Sequence, residues 1–195
     1  MRIDHVIYAT GDLDAAAAHI EEELGLTAVG GGRHEGIGTH NRIVPLDNSY
    51  IELLAVADPD EAAASDLGRA VQGQIERVGD GLMGWAVVVD DVEPLAARLG
   101  TAVTTIAREG MSAHLTGLAE AMADPCLPFF IARDPGIPGP TPRPDVDGIT
   151  WIELAGDEQR LRDWLGGNHL PARVVSAGPP AVRAVGIGDR ELRTG

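Results

Sequence analysis

Three segments of this chain repeat one pattern, and that repetition constrains the fold more than any other feature. Residues 5–12 (HVIYATGD), 84–91 (GWAVVVDD) and 150–157 (TWIELAGD) align without gaps. Each is an apolar run rich in β-branched residues, as a half-buried or buried strand requires, and each ends in aspartate. A helical spacing of apolar residues follows each one. Asp12, Asp91 and Asp157 stand where helix N-caps belong, and Gly25, Gly100 and the Gly166-Gly167 pair stand where helices stop.

Strand-like runs then follow each helix. In the first unit they cover 26–29, 39–46 and 50–56, with Asp47-Asn48-Ser49 as a tight turn. In the second they cover 102–108, 113–118 and 127–133, and in the third 172–177, 181–187 and, more weakly, 191–193. The repeated unit is therefore βαβββ, an α+β design rather than a doubly wound parallel sheet. Residues 61–78 read as an extra helix between units one and two. Residues 134–147 (DPGIPGPTPRPDVD) are rich in proline and glycine and read as an extended linker, because proline removes the donor and fixes φ. The expected organisation is a domain of two units over 1–133, a linker over 134–147, and a third unit over 148–195 packed on the same domain.

The 195-residue chain is 44% hydrophobic and 23% charged, enough apolar content to bury a core. Its net charge is −15, from 30 acidic and 15 basic residues, and every basic one is arginine. Such a balance argues against nucleic acid or an anionic membrane as partner. No apolar run reaches the roughly 18 residues of a transmembrane helix. The first residues enter a strand with no signal-peptide pattern, so the expected location is the cytoplasm. Cys126, the one cysteine, excludes an intrachain disulfide and reads as a buried, inert thiol.

Two stretches carry chemistry. One is Ile3-Asp4-His5-Val6-Ile7-Tyr8, followed by Asp12-Leu13; the other is Tyr50-Ile51-Glu52-Leu53-Leu54. Side chains alternate along a strand, so Ile3, His5 and Ile7 are expected on one face, and Tyr50, Glu52 and Leu54 on one face of theirs. A glutamate in so apolar a run needs a cation, a donor or water beside it. An imidazole and a carboxylate brought together are ligands for a divalent metal. His5 and Glu52 are thus candidate metal ligands, and Glu52 is the candidate general base. The alternative is a satisfied core histidine and a glutamate near an open rim.

These motifs resemble the vicinal oxygen chelate superfamily and its glyoxalase-like domains. There a D-H-[VI] strand and a D-L helix start open a βαβββ module, and a Y-[IL]-E-L strand closes it. The resemblance implies that paired units form a curved mixed sheet shaped as a cup, with His5 and Glu52 lining it. Metal-dependent members draw further ligands from a second module, and here the sequence departs from them. Gly84 and Thr150 stand at the His5 position, and residues 127–133 contain no carboxylate. His40, near the closing strand, is a third candidate metal ligand, and Glu191 is a remoter one.

Other features are weaker. Residues 30–38 hold several glycines and read as a flap that could bring Arg33 or His34 over a bound anion. His19, His114 and His169 read as surface or loop residues. Trp85 and Trp151 occupy equivalent repeat positions and are expected in the core on the helix side. No nucleophile triad and no dinucleotide fingerprint is present, so no organic cofactor is expected. The resemblance implies an enzyme of lyase, isomerase or dioxygenase type acting on a small carbonyl or vicinal-oxygen compound, with an optional divalent metal (zinc, nickel, manganese or iron). It equally accommodates a non-catalytic, antibiotic-sequestering type of small-molecule binding protein. It is compatible with a homodimer.

Overall fold

The computed structural model describes residues 1–108, 111–134 and 141–194. The first unit runs β1 (Arg2–Ala9), α1 (Leu13–Leu24), β2 (Arg33–His34), β3 (Thr39–Pro45) and β4 (Tyr50–Val56). Helices α2 (Pro59–Ala64) and α3 (Asp66–Arg77) lead to the second unit: β5 (Gly81–Val88), α4 (Glu93–Leu99), β6 (Val103–Arg108), β7 (Met111–Thr116), α5 (Leu118–Ala123) and β8 (Phe129–Arg133). The third segment runs β9 (Ile149–Ala155), α6 (Glu158–Trp164), β10 (Ala172–Ser176), β11 (Ala181–Ile187) and β12 (Arg190–Arg193).

Units one and two share one strongly curled eight-stranded mixed sheet, ordered β2-β3-β4-β1-β5-β8-β7-β6, which forms a half-barrel. Its centre is the antiparallel pairing of β1 with β5. There His5 lies opposite Ala86, Val6 opposite Trp85 and Ile7 opposite Gly84. That register is symmetric about Val6–Trp85, as a two-fold relation demands when His5 corresponds to Gly84. Each unit closes alike, β4 running parallel to β1 and β8 parallel to β5.

Local chemistry explains the elements. The Asp12 carboxylate accepts hydrogen bonds from the Asp14 and Ala15 amides at 2.8 and 3.1 Å, which caps α1. Gly25 ends the helix at φ 64°, a left-handed conformation costly for any residue with a Cβ. The expected helix over 61–78 is instead two helices. Ser65 takes an extended conformation and caps α3 by accepting from Gly68 N at 2.9 Å. The expected strand over 26–29 reduces to a bridge between Val29 and Ile43, and the strand forms later, at Arg33–His34. Helix α5, unexpected from sequence, starts after Gly117 at φ 74°.

The third segment has the element order β-α-β-β-β but not the topology of the other units. Its strands form a separate sheet, β10-β9-β11-β12, in which β9 pairs with β10 and β11 rather than with its last strand. It covers the helix side of the half-barrel. Ile152, Leu154, Val185 and Leu192 share one buried cluster with Val6, Ile20, Trp85 and Val87. Trp85 is fully buried there, as expected. Trp151 is not: it lies half-buried against Gly186, with the Arg173 guanidinium 6.0 Å from its ring centroid. Of the expected linker, residues 135–140 lie outside the described residues. The rest is fastened to unit one, Arg143 N donating to Leu46 O at 2.8 Å and Ile149 N to Ser49 Oγ at 2.9 Å.

Candidate functional site

The concave face of the half-barrel holds a cavity of about 600 Å³. Unit two contributes an apolar wall that includes Ile106, Leu115, Phe129 and Ile131, and unit one contributes the polar groups His5, His34, Asn41, Tyr50 and Glu52. His5 and Glu52 thus face one cavity, the first side chain buried at 4% exposure and the second partly buried at 12%.

The imidazole of His5 is fixed on every side. Tyr50 stacks on it at 4.5 Å between centroids, and Phe129 meets it edge-on at 5.5 Å. Its Nδ1 lies 2.8 Å from Asp4 Oδ2. Neighbouring residues of a regular strand point to opposite faces, so this contact needs an irregularity. A bulge supplies it: between Ile3 and His5 the register with β5 shifts, Ile3 pairing with Val87 and His5 with Ala86. The shift corrects the expected parity. Ile3 joins Val6 and Tyr8 in the helix-side core, while Ile7 joins the cup side.

Asp4 is itself held by the last residue of unit two. Arg133 donates from Nη1 to Oδ1 at 2.8 Å and from Nη2 to Oδ2 at 2.7 Å, a two-pronged charge-assisted pair. Burial alone would raise the Asp4 carboxyl, but the hydrogen bonds and charges of His5 and Arg133 outweigh it and hold it well below the usual carboxylate range. Asp4 is therefore ionised and can only accept, so His5 Nδ1 carries the hydrogen. In the neutral imidazole Nε2 is then a bare lone pair. It is buried, has no hydrogen-bond partner, and lies 3.6 Å from Glu52 Oε2. Burial, with the charges of Asp4 and Glu52, raises the Tyr50 hydroxyl well above its ordinary value, so it keeps its proton.

Glu52 is steadied from β3. Asn41 Nδ2 donates to Glu52 Oε1 at 2.5 Å, and Asn41 Oδ1 accepts from Gly32 N at 2.9 Å. A Cβ on Gly31 would overlap the Asn41 carbonyl and amide oxygens, so the glycine run lets the backbone pass over this residue. Sequence reasoning missed Asn41. The parity of β3 carries the signal, since Asn41 and Ile43 line the cavity and alternate with His40 and Arg42. For the same reason His40, an expected ligand, is not brought to the pair. His34 is: its Nε2 lies 3.9 Å from Glu52 Oε1, with Thr39 Oγ1 2.9 Å from its Nδ1. Glu191 is remote, exposed and paired with Arg193 on the third segment's sheet. Arg33 does not line the cavity but pairs with Asp58 and Glu61 at 3.3 and 3.1 Å.

These residues do not complete a metal centre of the zinc kind, which takes about three protein ligands. The partners that the two-fold relation would supply for His5 and Glu52 are Gly84 and Phe129, and neither is a ligand. The Gly84 position is filled instead by Met122, whose methyl would lie 3.2 Å from an added Cβ. Among the described residues no group of three His, Cys, Asp or Glu side chains is arranged to hold a metal ion. Nor is any helix among them long and apolar enough to cross a membrane.

Comparison with known proteins fits this architecture. A crystal structure of a hypothetical protein from Staphylococcus aureus superposes with a TM-score of 0.70 at 16% identity, over 94% of this chain and 89% of that one. Methylmalonyl-CoA epimerase from Mycobacterium tuberculosis superposes with a TM-score of 0.50 at 19% identity, over 68% of this chain and 86% of that one. A methylmalonyl-CoA epimerase in complex with methylmalonyl-CoA and NH4+ gives 0.51 at 21% identity, over 71% and 98%. At such identities the likeness concerns the fold. Among curated protein sequences, none matches this chain. The sequence profile described as "Glyoxalase-like domain" matches residues 3–166, across both halves of the half-barrel. The chain belongs to the glyoxalase-like domain family.

Proposed function

We propose that this protein is a small-molecule enzyme that moves a proton at the carbon next to a carbonyl, with Glu52 and His5 as its acid–base pair. The observation that carries the reading is the approach of His5 Nε2 to Glu52 Oε2 at 3.6 Å on the wall of a largely apolar cavity. Two bare acceptors facing each other in low dielectric are unfavourable, so the pair holds one proton between them or shares a donor from a ligand. With the proton on His5 Nε2, Glu52 is the base. Its Oε2 takes the α-proton, and the C–H electron pair forms the carbon–carbon double bond. The carbonyl oxygen receives the proton from Nε2, giving a neutral enol. Return of the protons on the same or another carbon gives an epimer or an isomer.

The cavity volume lies within the usual range for small-molecule sites, and its apolar wall suits a substrate with a hydrocarbon body. The same fold holds a CoA ester in the epimerase complex, which supports a carbonyl compound as ligand. Because the donor set falls short of a metal centre, we derive no step through a metal. The test is deuterium exchange by NMR, in D2O, against a panel of small ketones, 2-oxo aldehydes and thioesters. The wild type should exchange the α-proton of at least one compound, and Glu52→Gln should lose about 10²-fold or more of that rate. Exchange unaffected by Glu52→Gln would sink the reading.

A second reading, sequestration without chemistry, is favoured by the largely apolar contribution of unit two, to which Arg133 is the exception. It predicts tight binding of an apolar compound with no exchange, undiminished by Glu52→Gln.

A further inference from the structure

We infer that Asp4 and Arg133 are positioning residues that fix the tautomer of His5, so that its Nε2, and not its Nδ1, is the site open to the cavity. The inference rests on the acid–base reading above for its functional meaning, though its geometry stands alone. The neutral side chain of free histidine favours hydrogen on Nε2. Here the order is reversed by a buried carboxylate whose Oδ2 accepts from His5 Nδ1 as well as from Arg133. Asp4 is buried at 3% exposure, with His5 Nδ1 and both terminal nitrogens of Arg133 within 2.8 Å. Arg133 is always charged and its fork accepts nothing, so Asp4 must present oxygens to it. The bulge at Asp4 would put a buried charge beside an imidazole at a cost, unless the contact is used. The arrangement also couples the two units: the strand that closes unit two ends on the residue that holds the first strand of unit one.

Asp4 Oδ2 accepts from His5 Nδ1 and from Arg133 Nη2 alike, so the tautomer is tested by removing that acceptor. Replacing both charges by apolar side chains, Asp4→Leu with Arg133→Leu, takes it away without leaving a buried charge unpaired. In the wild type, 15N-histidine spectra of the full chain should show hydrogen on His5 Nδ1. In the double variant the hydrogen should move to Nε2, whereas Asp4→Asn, whose amide oxygen can still serve His5 from the Oδ2 position, should keep it on Nδ1.

Proton exchange should fall about 10²-fold in the double variant, as when a catalytic acid or base is lost. A wild-type His5 with its hydrogen on Nε2 alone overturns the inference, even if no variant folds. So does an Asp4→Leu, Arg133→Leu protein that keeps hydrogen on Nδ1. If the tautomer flips as stated but Glu52→Gln leaves exchange intact, the positioning holds and the proton-transfer reading fails.

Discussion

At the scale of single residues, the cavity is a case of charge placed where only specific neighbours make it tolerable. Asp4 has the clearest energetic signature. Its folded carboxyl titrates below the unfolded value of about 3.9. Its contribution to stability is therefore complete above that value and is lost as pH falls toward the folded one. Acid unfolding followed by circular dichroism should begin at higher pH in Asp4→Ala than in the wild type, and coincident acid limbs would contradict this. Cys126 shows the opposite sign. Burial pushes its thiol up to about 11, with the Asp124 and Asp157 charges adding to the shift. Its stability contribution is present below the unfolded value of about 8.5 and fades above it. At pH 8 a thiol reagent should label it only as fast as the chain opens. Labelling of the native protein at the rate of a free thiol would refute the assignment. The donor set makes a further prediction: zinc, nickel or manganese added in excess and dialysed away should leave no stoichiometric metal. Retained metal that is lost on His5→Ala would show that ligands have been undercounted.

At the scale of elements, the punctuation of the repeats is what holds each strand–helix step in place. The Asp12 cap satisfies two amides of α1 that nothing else in the helix can reach. Asp12→Ala should cost about 1 kcal/mol, read as a lower denaturant midpoint with unchanged m-value. A midpoint within error of the wild type would show that the cap contributes nothing to stability. Gly38 is the more demanding position. It sits at φ 77°, and a Cβ there would overlap the backbone of Ala62 within α2 and the carbonyl of its cap, Asp58. Gly38→Ala should therefore cost more than the cap, because conformational strain adds to a collision with backbone. The bulge at Asp4 belongs to this scale too, since one extra residue in β1 moves Ile3 out of the cup and brings a carboxylate behind the site imidazole.

At the scale of the whole molecule, the half-barrel holds its cavity on one face, where α3 and α5 also pack, and α1 and α4 on the other, and the third segment's sheet covers the side of α1 and α4. Strand β11 packs on β5, and β12 lies against α1. The shared cluster of Trp85, Val87, Ile152, Leu154 and Val185 leaves no polar layer between the two sheets. We expect a chain cut after Arg133 to expose that apolar face, bind a hydrophobic dye and melt well below the full protein. A soluble 1–133 fragment with an unchanged, cooperative melting midpoint would make the third segment an independent appendage.

What the sequence by itself determined is everything that short periodicities and local caps encode. An apolar run after the Asp47-Asn48-Ser49 turn placed β4 at its observed ends, helical spacing and the Asp12–Gly25 punctuation placed α1, and the repeat of 5–12 at 84–91 marked the first strands of two equivalent units. That His5 and Glu52 line one cavity was implied by the resemblance of their two strand motifs to the glyoxalase-like domains. Tertiary structure alone decided the rest. Strand parity fails at a bulge, and nothing local announces that Asp4 will be the inserted residue. Arg133 finds Asp4 across 129 positions of chain, a contact that no spacing records. Asn41 rather than His40 faces Glu52 because the register of β3 on β4 fixes the parity of both. The third segment repeats the element order of the others yet pairs its strands differently. A βαβββ pattern states which residues can be strands, while hydrogen-bonded neighbours are chosen by which apolar faces remain to be covered once the half-barrel has formed.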